Sequence, residues 1–374
     1  MDMDIAMAAT KVILTTERII DNAQIRRAPD RTRIPFFTAD AVVEAPFGCA
    51  PHECYGTYEP FFDHMDSYAK QLSADPEKGA ADYLKTHFYD TETFGGTTSR
   101  NSVQPQCWTR VDADGVFMMT DPSAYTASEL LAVMSARLLS DGQIVFAGVG
   151  IPLLAATLAQ RLHAPSLTIL FEGGVIGPFV VPGVLPPSTN EQRCTRNANM
   201  VLPNTDVMLL LQRGYIDVGF MGGAQIDRYG NLNSSFIGDP ESPKIRLPGT
   251  GGGNDISSLT NMIVAMKHEK RRFVPKVDFV TSPGFLTGGA SRADAGLVTG
   301  GMFRVVTDLA LMGFGSENRQ VKVLALHQGV SREQVLDNTG FDLAFDDELT
   351  ETKPPSEEEL AVVRELDPEQ LYTV

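Results

Sequence analysis

Glu172 stands where an apolar run, Leu167 to Phe171, gives way to Gly173 and Gly174. A carboxylate carried out on the end of a buried strand, with little side chain beside it, has the setting of a nucleophile. Held at attack distance in a water-poor site, it can add to a thioester carbonyl and form a covalent acyl intermediate in place of one hard exchange. The two glycines would then leave room for the acyl group. A carboxylate at a strand terminus equally serves to cap a helix or to pair with a basic neighbour, so this feature by itself leaves the chemistry open.

A second feature is Pro248-Gly249-Thr250-Gly251-Gly252-Gly253-Asn254-Asp255, with four glycines in five positions. Such a loop presents backbone N–H groups without side-chain obstruction, a nest for an oxyanion or a phosphate. Read alone, it is just as well a flexible surface turn. Gly148-Val149-Gly150-Ile151-Pro152, before a helix, could offer N–H groups to a phosphate or an amide, or could be a tight strand-to-helix turn. It is not GxGxxG, so it carries no dinucleotide fingerprint.

Lys267, Lys270, Arg271 and Arg272 are the densest basic cluster. They could meet phosphates, although a solvated basic face fits better. His163 and His268 have no Ser or Cys partner suggested by spacing and receive no catalytic role. Cys49, Cys54, Cys107 and Cys194 form no CxxC pair and have no histidine at metal-ligand spacing. Neither a zinc site nor a disulfide framework is expected, and reduced, cytoplasmic thiols are.

The elements that must position these groups alternate. Ser128 to Leu139 reads as an amphipathic helix with Glu129 in its first turn, Gln143 to Ala147 as a strand, and Leu153 to Leu162 as a helix. Leu167 to Phe171 reads as a strand, Val207 to Leu211 as a further apolar element, and Val218 to Met221 as a strand running into Gly222 and Gly223. Met262 to Met266, Val277 to Thr281, Phe303 to Thr307 and Val321 to Ala325 read as further strands. The pattern predicts an α/β fold: an open, largely parallel, doubly wound sheet with helices on both faces and ligands beyond the carboxyl ends of its strands.

Before this region, Lys11 to Thr15 reads as a short buried strand, Ala39 to Glu44 as a second apolar run, and Phe61 to Tyr83 as helical. Tyr89 to Thr120 is rich in Thr, Ser, Gly, Asn and Gln, as linkers are. This divides the chain into residues 1–90, a linker at 91–122, and a domain at 123–374. The Asp- and Glu-rich stretch from Phe341 onward reads as a tail on the surface.

At 374 residues and 43% hydrophobic, the chain has material for about two to three domains. A net charge of -16 argues against nucleic acid and against an anionic membrane, because the field repels both. Any anionic ligand must be met by local groups. The acidic N-terminus is too short in apolar run for a signal peptide or a membrane span, so a soluble protein is expected.

Taken together, Ile169 to Gly174, Gly222 to Asn233 and Lys267 to Phe273 resemble the B subunit of glutaconate CoA-transferase and its relatives among the class I CoA-transferases. So do Gly148 to Pro152, Gly249 to Gly253, Thr281 to Gly284 and Asn338 to Asp342, which come in the same order. The likeness runs from about Tyr125 to the C-terminus. Lys11 to Glu17, Arg31 to Pro35 and Val42 to Gly48 are similar to the C-terminal portion of the family's A-type chain, whose larger, earlier part has no counterpart here.

The resemblance implies that Glu172 is the catalytic glutamate. It places the oxyanion and CoA-contacting loop at Gly251, Gly252 and Gly253, and a second loop near CoA at Gly148, Val149, Gly150, Ile151 and Pro152. It implies ping-pong transfer of CoA between an acyl-CoA and a carboxylic acid through a glutamyl-CoA thioester, with coenzyme A as substrate and no permanently bound cofactor. Two alternatives stay open: an acyl-CoA hydrolase using the same nucleophile, and a catalytically silent CoA-binding subunit needing an A-type partner. A homo- or hetero-oligomer is expected. Val175, Ile176, Phe179 and Val180 hint at an apolar wall for the acyl group.

Overall fold

The computed structural model of the chain describes residues 6–16, 18–45, 76–85, 125–186, 188–190, 192–195, 197–315 and 317–373. The chain forms two compact units, a smaller one of Ala8–Asp21 and Ala39–Thr109, and a larger one of Met1–Met7, Asn22–Thr38 and Arg110–Val374.

In the smaller unit, β1 (Ile13–Thr16) and β2 (Ala41–Glu44) pair in parallel, Ile13 opposite Ala41. Asp40 anchors the pair, accepting from Val12 N and from Lys11 Nζ, each at 2.8 Å. The strand expected at Lys11 to Thr15 exists but is not buried: Ile13 is 67% exposed. Apolar patterning marks a strand, whereas burial needs a layer over it, and a two-stranded ribbon supplies none. A helix spans Pro76–Leu84. The remainder of the helical stretch expected from Phe61, and the expected linker at 91–122, lie outside the described residues.

The larger unit holds β3 (Ile144–Ala147), β4 (Thr168–Leu170), β5 (Val175–Ile176), β6 (Met200–Val201), β7 (Val218–Met221), β8 (Gln225–Ile226) and β9 (Leu232–Asn233). It continues with β10 (Phe236–Gly238), β11 (Pro243–Arg246), β12 (Asn261–Ala265), β13 (Gly301–Val306), β14 (Ala310–Phe314), β15 (Val321–Leu326) and β16 (Ala344–Glu351). Ten of these form one sheet in the order β16-β15-β14-β13-β12-β7-β3-β4-β5-β6. Its centre, β13 to β4, is parallel throughout. Antiparallel pairs join β14 and β15 on one flank and β5 and β6 on the other. The expected open, largely parallel sheet is present.

Side-chain alternation divides the interior in two. Val145, Ala147, Ile169, Val218 and Ile263 enter one core together with the helices Ala127–Ala136, Ile151–Leu162 and Glu357–Leu366. Ile144, Phe146, Leu170, Met262 and Val264 enter the other, with helix Asn204–Gln212 and with Ile256 of helix Gly253–Leu259. A period of two with both faces apolar is what a sheet covered on both sides requires. Gly219 on β7 permits the close seating of helix Gly253–Leu259, because a Cβ there would lie 2.3 Å from Ile256 Cγ2.

Several sequence expectations are corrected. Val207 to Leu211, expected only as an apolar element, is helical, and Val277 to Thr281 is not the strand expected. The backbone of that stretch is spent on a side chain and on β9: Asp278 N donates to Gln225 Oε1, and Thr281 N to Leu232 O. Helix Ala127–Ala136 is buried almost all round rather than amphipathic, because the C-terminal helix covers the face turned from the sheet. The acidic C-terminal stretch is no tail: β16 pairs with β15, and helix Glu357–Leu366 buries Leu360, Val363 and Leu366. Charge clusters at an edge strand and on one helix face concealed the apolar positions between them. No helix among the described residues is long and apolar enough to cross a membrane.

Candidate active site

The sheet changes direction of winding beside β3, whose neighbours are β4 on one side and β7 on the other. Crevices at such points collect the loops that leave the carboxyl ends of the strands. β3 feeds Gly148 to Gly150, β4 feeds Glu172, and β7 feeds Gly222 and Gly223.

Glu172 lies on a tight turn. Gly174 N donates to Phe171 O at 3.0 Å and Phe171 N to Val175 O at 2.9 Å, so the chain reverses from β4 into β5 around Glu172 and Gly173. The turn explains the two glycines in a way the sequence did not. A Cβ on Gly173 would lie 2.5 Å from Asn190 Oδ1, and one on Gly174, at φ 99°, would lie 1.8 Å from Leu202 O. The space beside them is filled by other segments instead of being left for an acyl group. Packing on both sides of the turn fixes the half-buried Glu172 in direction.

The glycine loop comes up against that carboxylate. A Cβ on Gly251 would sit 3.4 Å from Glu172 Oε2, and one on Gly252 would sit 3.3 Å from Glu172 Cδ and 3.0 Å from Met208 Cε. A side chain at Gly252 would need Glu172 or Met208 to give way by a few tenths of an ångström, and Gly251, at φ 49°, is in a conformation that L-residues rarely adopt. Gly253 N donates to Thr250 O at 2.7 Å, closing a turn within the loop. The N–H groups of Gly251 and Gly252 have no acceptor among the described residues, and remain available for a ligand. Met208 and Met221, which line the loop, had no sequence signal beyond hydrophobicity.

Gly148 to Pro152 forms the turn between β3 and helix Ile151–Leu162. Gly150 is the residue before the helix, at φ 84°, and Pro152 lies in its first turn. A Cβ on Gly148 or Gly150 would meet nothing within 4 Å, so the turn opens outward. Because β3 and β4 are parallel neighbours with Phe146 opposite Leu170, this turn and Glu172 leave the same end of the sheet.

The remaining candidates divide. Arg271 and Arg272 bond Glu269 at 2.7 and 3.0 Å, holding its carboxyl down to about 2. Arg272 also reaches Gly223 O at 3.1 Å, so part of the cluster braces the turn after β7 rather than facing solvent. His268 is buried and stacked on Phe273, its ring nitrogens on Thr307 and Thr339 hydroxyls, and burial pushes its pKa down to about 4. Val175 and Ile176 are buried in the two cores. Phe179 and Val180 border a shallow apolar hollow with Phe171, Val181 and Pro186.

The model of the Coenzyme A transferase family matches residues 128–338. The B subunit of 3-oxoadipate CoA-transferase from Pseudomonas knackmussii is 40% identical over 247 residues, 66% of this chain and 94% of that protein. The B subunit of glutaconate CoA-transferase from Acidaminococcus fermentans is 37% identical over 261 residues, 68% of this chain and 97% of that one. The crystal structure of glutaconate coenzyme A-transferase from the same organism matches with a TM-score of 0.64 at 36% identity, over 68% of this chain and 99% of that chain. The A-type chain of that enzyme is 46% identical over 72 residues, 18% of this chain and 22% of that one. The chain therefore belongs to the coenzyme A transferase family, a CoA-transferase built on the B-type architecture with an A-like segment in addition.

Proposed function

We propose that the chain moves CoA between an acyl-CoA and a carboxylic acid with Glu172 as covalent nucleophile. The observation that carries this reading is the approach of Gly251 and Gly252, with their unused N–H groups, to the Glu172 carboxylate.

Glu172 adds to the thioester carbonyl, and the tetrahedral oxyanion collapses by breaking the C–S bond, giving an acyl-glutamyl anhydride and CoA thiolate. The thiolate attacks the glutamyl carbonyl and expels the first carboxylate, leaving a glutamyl-CoA thioester. The acceptor carboxylate repeats both steps in reverse and regenerates Glu172. Every step exchanges anionic nucleophiles, so no proton donor is needed. Each passes through an oxyanion that Gly251 and Gly252 can receive, and a preset donor of this kind contributes about 3 kcal/mol.

Gly148 to Pro152, at the same end of the sheet, suits the pantetheine or phosphates of CoA. The relatives named for 3-oxoadipate and glutaconate favour a dicarboxylic acid as acceptor. The A-like segment, taken as residues 1–90 and joined by 91–122 to the domain at 123–374, favours assembly with an A-type chain. The test is transfer of CoA from glutaconyl-CoA to free 3-oxoadipate and from 3-oxoadipyl-CoA to free glutaconate, with and without an A-type chain. Ping-pong kinetics, with parallel double-reciprocal lines, are expected. Release of CoA without any acceptor acid would identify a hydrolase instead, and acyl-CoA binding without turnover a silent subunit.

A further inference from the structure

The middle of the glycine loop meets Glu172, and its two ends are fastened to one polar platform. At the start, Gly249 N donates to Ser234 O and Ser234 Oγ donates back to Gly249 O, each at 2.8 Å. At the far end, Asn254 N donates to Thr250 Oγ1 at 2.8 Å and Asn254 Nδ2 to Thr281 O at 3.3 Å. Ser234 and Thr281 are themselves joined, since Ser234 N donates to Thr281 Oγ1 at 3.0 Å. Ser235 Oγ shares that hydroxyl at 2.7 Å.

Behind them lies buried Asn233, whose Oδ1 accepts from Ser235 N and whose Nδ2 donates to Gln225 Oε1 at 2.7 Å. Gln225 in turn donates to Asp278. Buried Gln225, Asn233 and Thr281, bonded in turn to part-buried Ser234 and Ser235, make a connected network that resists displacement. The loop it holds is the reverse: it has no side chain at Gly249, Gly251 or Gly252, and two of these residues are in the left-handed region, at φ 95° and 49°. Oxyanion donors act only if they are fixed before the reaction; the loop's own bonds, Gly253 N to Thr250 O and Asn254 N to Thr250 Oγ1, close its far half and leave Gly249 to be held from outside.

We propose that Ser234 is a positioning residue, which with Thr281 as its anchor sets the approach of Gly251 and Gly252 to the reacting carboxylate. The inference rests on the reading of Glu172 as nucleophile. Ser234 does not touch the reacting atoms; its hydroxyl proton is spent on Gly249 O. Its loss therefore disorders the donors without removing a contact to CoA.

The experiment compares wild type, Ser234→Ala, Ser234→Thr and Glu172→Ala, each with an A-type chain present and with glutaconyl-CoA and 3-oxoadipyl-CoA as donors. In Ser234→Ala, kcat and the rate of glutamyl-CoA formation should fall about ten- to a hundredfold, with KM for the acyl-CoA and the melting temperature little changed. Ser234→Thr should recover most of the rate. Asn254→Ala, an exposed change that frees the other end of the loop, should give the same kcat-specific loss and serves if Ser234→Ala folds poorly. Wild-type rates in Ser234→Ala and Asn254→Ala, or a loss carried by KM alone, would overturn the inference while leaving Glu172 as nucleophile. If wild type itself forms no glutamyl-CoA, the reading of Glu172 falls and the inference with it.

Discussion

Close approach at single glycines makes the site sensitive to the smallest side chain. In Gly252→Ala the new methyl group meets Glu172 Cδ at 3.3 Å and Met208 Cε at 3.0 Å. Met208 is flexible and can yield, so stability should hold, whereas displacement of the carboxylate should lower kcat at least about tenfold in steady-state assays. Gly174→Ala should behave oppositely. Its Cβ would overlap the Leu202 carbonyl oxygen at a backbone angle that L-residues rarely adopt, and a loss of more than about 3 kcal/mol is expected by urea titration. That Glu172 leaves the end of a buried strand was legible from the apolar run before it. The duties of Gly173 and Gly174 were not, because the atoms they make way for, in Asn190 and Leu202, come from later in the chain.

Helices and strands were legible where periodicity met an ordinary environment. β7 and helix Ile151–Leu162 emerge within two residues of their expected limits. The C-terminal helix was missed because Glu357, Glu358 and Glu359 dominate its first turn, although Ser356 and Glu359 form a capping box there. That helix is also tied to the fold by a pair invisible in sequence: Arg364 Nε donates at 2.7 Å to Glu129, whose side chain is 3% exposed and also caps Thr126 N. Arg364→Ala strands this buried carboxylate and should cost about 2 to 3 kcal/mol in chemical denaturation, while joint replacement of both residues by leucine should recover part of the loss. Val277 to Thr281 shows the opposite failure, an apolar run whose backbone bonds go to Gln225 and Leu232 instead of a ladder.

At the scale of the whole molecule, the acidic balance offers no long-range positive field, so the proposed binding of anions falls to backbone groups. The same molecule carries a buried pair of histidines at the β13–β14 turn: Thr307 bonds His268 through its hydroxyl and His327 through its carbonyl. Burial lowers both, His268 to about 4 from an ordinary value of 6.5. The unfolded chain takes up a proton that the folded one refuses, so His268 leaves stability unaffected above pH 6.5 and lowers it as pH falls from there to about 4. The full effect is on the order of 3 kcal/mol. Urea midpoints of His268→Gln should therefore change less than those of wild type between about pH 7 and about pH 5.

The central claim is the covalent role of Glu172, and the most direct measurement is intact mass with peptide mapping after incubation with an acyl-CoA and an A-type chain, followed by borohydride. Reduction should convert the Glu172 carboxyl to an alcohol, losing one oxygen and gaining two hydrogens, and Glu172→Ala should show no such change. An unmodified Glu172 in a wild-type protein that nevertheless exchanges CoA would contradict the account.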